Sequence, residues 1–189
     1  MIADLVRANR SHRKFQQDKP LAHETLRQFV DLTRLVPSAQ NMQPLKYILS
    51  STPEKNSLIF PCLAWAGYLK EWPGPTEGER PAGYIIILGD KEIARNFWCD
   101  HGIAAQTILL AAVELGLRGC MIANIQREKL RAALGIPEQY DILLAIALGY
   151  PNETVVLEDV KDGDIKYWRD EKSVHHVPKR SLSEIVLDL

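Results

Sequence analysis

Three short apolar runs constrain this 189-residue chain more than any other feature. Tyr84-Ile85-Ile86-Ile87-Leu88 is unbroken and lies between Gly83 and Gly89. Ile142 to Leu148 holds no polar residue and closes on Gly149-Tyr150-Pro151. Gly119-Cys120-Met121-Ile122-Ala123 is the third. Runs this short, without the polar alternation of a half-exposed strand, read as strands covered on both faces. Tyr47-Ile48-Leu49 reads as a fourth. Such a sheet needs helices on each side, and the economical architecture is one mixed sheet between helices in a single domain.

The segments between the strands supply those helices. Ile2, Leu5 and Val6 recur at helical spacing, and so do Leu26, Phe29, Val30 and Leu32 after His23. Thr52 before Pro53 is a helix start, with a cap and a proline at the first position. Asp90 to Trp98 is expected to be helical, as is Arg127 to Leu134 with Gly135 beyond its end. Between Ile103 and Val113, nine of eleven residues are apolar, so this helix is expected to be wrapped on all sides. Gln106 inside it would then need a buried partner. Glu71 to Pro81 holds three prolines and two glycines and reads as a loop, which could also cover a site. A polar tail follows Pro151, hairpin-like around Lys166-Tyr167-Trp168-Arg169. It ends in a Ser181-x-x-Glu184 capping box.

Composition excludes several classes. The chain is 46% hydrophobic and 25% charged with a net charge of −1, which suits a globular domain and not a phosphate-covering nucleic-acid surface. Cys62, Cys99 and Cys120 stand apart, without a C-x-x-C, so neither a disulfide framework nor a cysteine zinc site is expected. His175 and His176 are adjacent and would face opposite ways in a strand, a poor geometry for one metal. The most apolar segment is too short to span a bilayer. The opening Met1-Ile2-Ala3-Asp4 does not resemble a secretory signal, and a cytoplasmic protein is expected.

Two polar stretches carry the chemistry. Arg10-Ser11-His12-Arg13-Lys14-Phe15 brings three cations and a hydroxyl within a few residues, a set that matches phosphate because guanidinium donates in parallel pairs. Lys179-Arg180 adds a second basic pair. Pro37-Ser38-Ala39-Gln40-Asn41-Met42-Gln43-Pro44 joins a helix to a strand, stiffened by two prolines and presenting amides suited to a heterocycle with mixed edges. The combination suits a phosphorylated heterocyclic cofactor and equally an exposed charged surface. Residue chemistry alone does not choose.

In order along the chain, these motifs resemble the FMN-dependent nitroreductase family. The family pattern is Arg-Arg-Ser-x-Arg-x-Phe, then Ala-Pro-Ser-x-x-Asn-x-Gln-Pro about twenty-five residues on. Ile103 to Gly119, Leu134-Gly135-Ile136-Pro137 and Ala147-Leu148-Gly149-Tyr150-Pro151 are similar too. The resemblance implies an α+β fold with a mixed, mainly antiparallel central sheet, and a homodimer with two FMN sites at its interface. It implies that Arg10, Ser11 and Arg13 hold the flavin phosphate and pyrimidine edge, with Lys179 and Arg180 also reaching the phosphate. Pro37, Ser38, Ala39, Asn41 and Gln43 would contact the flavin held mainly by the other subunit. Ala123 and Asn124 would place backbone near the flavin N5. The implied activity is a ping-pong oxidoreductase: NAD(P)H reduces FMN, and a nitroaromatic, quinone or similar acceptor reoxidises it, with no side-chain acid or base. Alternatives on the same fold are a flavin enzyme with a specialised metabolite reaction and a dimeric flavin- or nucleotide-binding protein without turnover. Asn9 stands where the family's first arginine is usual.

Overall fold

A computed structural model describes residues 1–187. The elements are α1 (Ile2–Ala8), α2 (His23–Thr33), β1 (Leu45–Ser50), α3 (Pro53–Ile59), β2 (Gly83–Asp90), α4 (Asp100–Glu114) and β3 (Arg118–Ile122). They continue with α5 (Arg127–Leu134), β4 (Tyr140–Gly149), β5 (Val155–Asp159), β6 (Trp168–Arg169), β7 (His175–Lys179) and α6 (Leu182–Ile185). Four strands form the central sheet in the order β1-β2-β4-β3, every pair antiparallel. The fold is α+β.

The three apolar runs are its inner strands. All eight residues of β2 are buried, and Ile85, Ile86 and Ile87 are 0% exposed. Alternate residues serve opposite cores. Tyr84, Ile86 and Leu88 pack with Ile59, Cys62, Cys120 and Leu130, the side of α3 and α5. Ile85 and Ile87 pack with Leu26, Phe29, Ala105 and Ile108, the side of α2 and α4. Burying each such side chain contributes about 1.5–3 kcal/mol, which is why a sheet of this composition must be covered twice.

The structure departs from the sequence expectations in three places. Asp90 to Trp98 is a series of turns, not a helix. β2 runs on through Asp90, whose carboxylate accepts from the Glu92 amide, and Asn96 caps the Trp98 amide in a local turn with Trp98 at φ 44°. Side-chain acceptors of this kind offer the backbone an alternative to helix. α4 is buried along one face only, through Ala104, Ala105, Ile108, Leu109, Ala112 and Val113, while Gln106 is exposed. The central sheet is mainly antiparallel, as the resemblance implies: its four strands all pair so, and the N-terminal segment adds one parallel bridge, Ser11 to Gly119 of β3. A longer parallel pairing occurs in a separate small sheet, β5-β7-β6, where β5 and β7 run together. That sheet lies in what reads as a polar tail; only its β6 arm was legible, where Trp168 and Arg169 pair with His176 and His175.

Thr52 caps α3 by accepting from Lys55, and Gly135 ends α5 with φ 63°. Gly119 matters for a different reason. A Cβ there would sit 2.7 Å from the Ala147 carbonyl oxygen and 2.6 Å from Leu109 Cδ2. Backbone on one side and a core leucine on the other leave little to yield. Gly119→Ala is expected to cost about 1–3 kcal/mol, read as a lowered urea midpoint with unchanged slope.

Candidate functional site

The N-terminal segment after α1 runs beside the outer strand of the sheet. Ser11 bridges Gly119 of β3, and the His12 amide donates to the Gly119 carbonyl at 3.1 Å. Farther on, Phe15 bridges Pro151 beyond β4, and Gln16 donates to the Tyr150 carbonyl. One carboxylate locks this path. Glu153, its side chain 2% exposed, accepts from the backbone amides of Arg13 and Lys14 and pairs with Arg169 of β6 at 2.8 Å. Arg169 in turn lies over the Trp72 ring, 4.3 Å from its centroid. The small sheet and the loop carrying Trp72 are thereby tied to the N-terminal segment.

A cavity of about 320 Å³ opens between these pieces. Asn9, Arg10, Ser11 and Arg13 line it from the N-terminal segment, Gln106 and Leu109 from α4, and Gly119 and Met121 from β3. The small sheet and the turn before it contribute Tyr167, His175, Val177 and Lys179. The volume falls in the range of small-ligand sites. A larger open groove of about 820 Å³ runs between α2, β1 and the end of α4, walled by Phe29, Val30, Leu45, Tyr47 and Leu49. Its charged residues are Glu24, Asp31 and Glu114 beside Arg27, Arg34 and Lys46, and two of the three cations are already paired, Arg27 with Glu24 and Arg34 with Asp31. Chemistry therefore favours the smaller cavity.

Its cations differ in how committed they are. Arg13 is buried: Nη1 donates to the Ser11 carbonyl at 3.3 Å and to His175 Nε2 at 3.1 Å, and the guanidinium lies over Tyr167 at 4.7 Å. Arg10 uses Nη2 on the Val6 carbonyl, while its Nε is buried without a partner among the described residues. Partial burial lowers the Arg10 pKa from its ordinary value. Lys179 is exposed, and its ammonium makes no hydrogen bond or ion pair among the described residues. Asn9 is buried and donates to Gln106 Oε1 at 3.3 Å, so the glutamine singled out within the apolar helix finds its partner at the cavity wall.

The other predicted residues lie elsewhere. Arg180 pairs with Glu184 at 3.2 Å and does not line this cavity. Ala123 and Asn124 are exposed beyond β3, and their carbonyls accept from Arg127 and the Ala64 amide. Pro37, Ser38 and Gln43 line a separate cavity of about 160 Å³ with Tyr47 and Asp100. Asp100, 3% exposed, organises that bend: its carboxylate accepts from the Ser38 hydroxyl at 2.6 Å and the Ala39 amide at 3.0 Å. Ser38 Oγ accepts in turn from the Gln43 amide. Gln40, Asn41 and Gln43 all have φ above 50°, a costly conformation for side-chain-bearing residues that only such an anchor sustains. Asn41 is exposed. Within one chain, then, the structure unites Arg10, Ser11, Arg13 and Lys179 and keeps the amide-rich bend apart.

Sequence reasoning missed Glu153, Tyr167, His175, Met121 and Val177. Tyr167 sat in the hairpin-like stretch and His175 in the adjacent pair, but nothing local showed that β7 returns to the N-terminal segment. The histidines do face opposite ways. His175 is 0% exposed, whereas His176 stacks on Trp168 and is bonded to Glu158 and Asp170.

Comparison with known proteins gives four further findings. The model of the nitroreductase family matches residues 6–150. A Methanothermobacter thermautotrophicus protein named "Putative NADH dehydrogenase/NAD(P)H nitroreductase" is 29% identical over 170 residues, 86% of this chain and 84% of its own. Among solved structures, an "FMN-dependent Nitroreductase" of Clostridium difficile is 25% identical, with a TM-score of 0.65 over 87% of this chain and 94% of its own. A "Nitroreductase Family Protein" of Streptococcus pneumoniae, at 18% identity, shares the fold over the whole of both chains with a TM-score of 0.71.

Glu153→Ala removes the carboxylate that pairs with a mostly buried arginine and strands two backbone amides. It is expected to destabilise the protein by about 3–5 kcal/mol, measurable by denaturant unfolding. Acid should act in the same region. Burial lowers the His12 pKa, and burial together with the Arg13 charge lowers that of His175 to about 4. At these two rings the unfolded chain therefore binds more protons than the native one below the ordinary value of 6.5. Stability contributed by the neutral rings is complete above that pH and is lost as pH falls toward about 4. Thermal unfolding across this window should show a falling midpoint, and a flat profile would contradict it.

Proposed function

From the fact that the chain belongs to the nitroreductase family, we propose that it binds FMN and acts as an NAD(P)H-dependent oxidoreductase. The observation that carries this reading is the cavity lined by Arg10, Ser11 and Lys179, where Arg10 Nε is buried and neither it nor the Lys179 ammonium has a partner among the described residues. Two cations and a hydroxyl match a phosphate monoester, and the amides of Asn9 and Gln106 on the same wall could meet polar edges of a ring. The FMN dependence and NAD(P)H use in the names of the similar proteins support the same assignment.

Each residue has a definable task. Lys179 and Arg10 would neutralise and orient the phosphate. Arg13 is held too firmly to swing toward a ligand and would act as a fixed positive wall. FMN would supply the redox chemistry, accepting hydride from NAD(P)H and reducing an electron-poor acceptor such as a nitroaromatic or quinone. Nucleotide and acceptor would use one slot in turn, a ping-pong order in which the side chains bind and orient.

The proposal includes a homodimer. Only a second copy could bring a bend like Pro37 to Gln43 to this cavity, since each chain keeps its own bend in a different one. Exposed Ile2 and Val6 on α1, and Leu182, Ile185, Val186 and Leu187 at the C-terminal end, provide apolar surface that association would cover.

Lys179 is the informative residue because its exposure separates binding from folding. Purified protein should take up FMN, turn yellow and bleach with NAD(P)H without oxygen. Lys179→Ala should weaken FMN binding about 10- to 100-fold, the worth of one charge-assisted hydrogen bond, with the melting temperature of the flavin-free protein unchanged. Unaltered affinity would remove Lys179 from the site, and a protein that takes up no FMN would end the reading.

A further inference from the structure

Arg13 and His175 meet where the N-terminal segment passes β7. Arg13 Nη1 lies 3.1 Å from His175 Nε2, and His175 is 0% exposed. A guanidinium has donors and no acceptor. Nε2 must therefore present a lone pair, so the imidazole is neutral and carries its proton on Nδ1. That Nδ1 is buried and has no partner among the described residues. An unpaired buried donor is unfavourable, so no contact at Nδ1 selects this tautomer. Arg13 selects it.

We propose that His175 is a positioning residue for the anion-binding cavity: by accepting at Nε2 it holds the Arg13 guanidinium over the Tyr167 ring, in the wall shared with Arg10, Ser11 and Lys179. The guanidinium's other hydrogen bond among the described residues, to the Ser11 carbonyl, is long at 3.3 Å. Without an acceptor on β7 the group would be free to turn toward the ligand or away from it. The identity of the ligand as FMN rests on the function proposed above; the contact between Arg13 and His175 stands without it.

The surroundings explain why the acceptor must be neutral. Around the imidazole stand Arg13 and His12 from the N-terminal segment, Arg169 from β6 and Glu153 ahead of β5, with the Tyr167 ring 5.3 Å away. Glu153 is already engaged with Arg169 and two amides. A proton on His175 would put a second cation against Arg13 and remove the lone pair that holds it.

The test compares FMN binding, by quenching of flavin fluorescence at neutral pH, in wild type, His175→Gln and His175→Leu. Glutamine keeps an acceptor, and leucine does not. His175→Leu should raise the Kd about tenfold, because the Arg13 charge would no longer be fixed in the cavity wall beside the anion, and His175→Gln should stay within about threefold of wild type. Equal affinity in all three proteins, or equal loss in both variants, overturns the proposal. Nitrogen NMR of the wild-type imidazoles provides a measurement that needs neither variant nor FMN. A His175 ring protonated at Nδ1 alone is expected, and one protonated at Nε2 overturns the assignment. Should the wild type fail to bind FMN, the flavin reading falls while the tautomer still decides the role of His175.

Discussion

The carboxylate of Glu153 holds the functional half of this molecule together. It is nearly inaccessible to water and satisfied by three donors from two distant parts of the chain: the amides of Arg13 and Lys14, and the guanidinium of Arg169. A buried charge is tolerable only when its lone pairs are used, so the native state must bring all three donors to it. Doing so lays the N-terminal segment beside β3 and draws the small β5-β7-β6 sheet toward it. The cavity between them is a consequence. Its walls are joined by this ion pair together with the backbone contacts of Ser11 and His12 to Gly119 and the side-chain contact of Arg13 to His175.

The central sheet performs a different task. β2 and β4 are so apolar that helices must cover both faces, and α2 with α4 on one side and α3 with α5 on the other do so. This gives a stiff platform with β3 at one edge, and the functional segment is laid along that edge. Gly119 allows the close approach there, since its α-carbon sits where a side chain would meet the Ala147 carbonyl. Asp100 at the start of α4 plays an analogous part for the amide-rich bend, holding three residues in a backbone conformation they would not adopt alone. Both polar stretches noticed in the sequence are thus shaped by buried carboxylates placed far from them along the chain.

What could be read from the sequence follows the range of the interactions concerned. The inner strands were legible because a run such as Ile85-Ile86-Ile87 has one favourable environment, whatever surrounds it. The caps at Thr52, Gly135 and Ser181 were legible because their partners lie within a few residues. Asp90 to Trp98 misled because its spacing suits a helix, while side-chain acceptors at Asp90 and Asn96 turn the backbone first. The apolar helix misled in another way. Periodicity reports how apolar a face is and not whether one chain covers it, so Gln106 proved to be a cavity-wall residue and not a buried one.

The sequence by itself determined the covered sheet, most helix ends, and the cationic and amide-rich stretches whose resemblance points to a family. These rest on local pattern and side-chain chemistry, which survive without knowledge of the fold. The tertiary structure decided which of those stretches share a cavity. It grouped Arg10, Ser11 and Arg13 with Lys179, set the Pro37–Gln43 bend apart, and recruited Tyr167 and His175. That grouping depends on contacts such as Arg13 to His175, between residues 162 positions apart, and no local pattern encodes which distant partner will satisfy a buried charge.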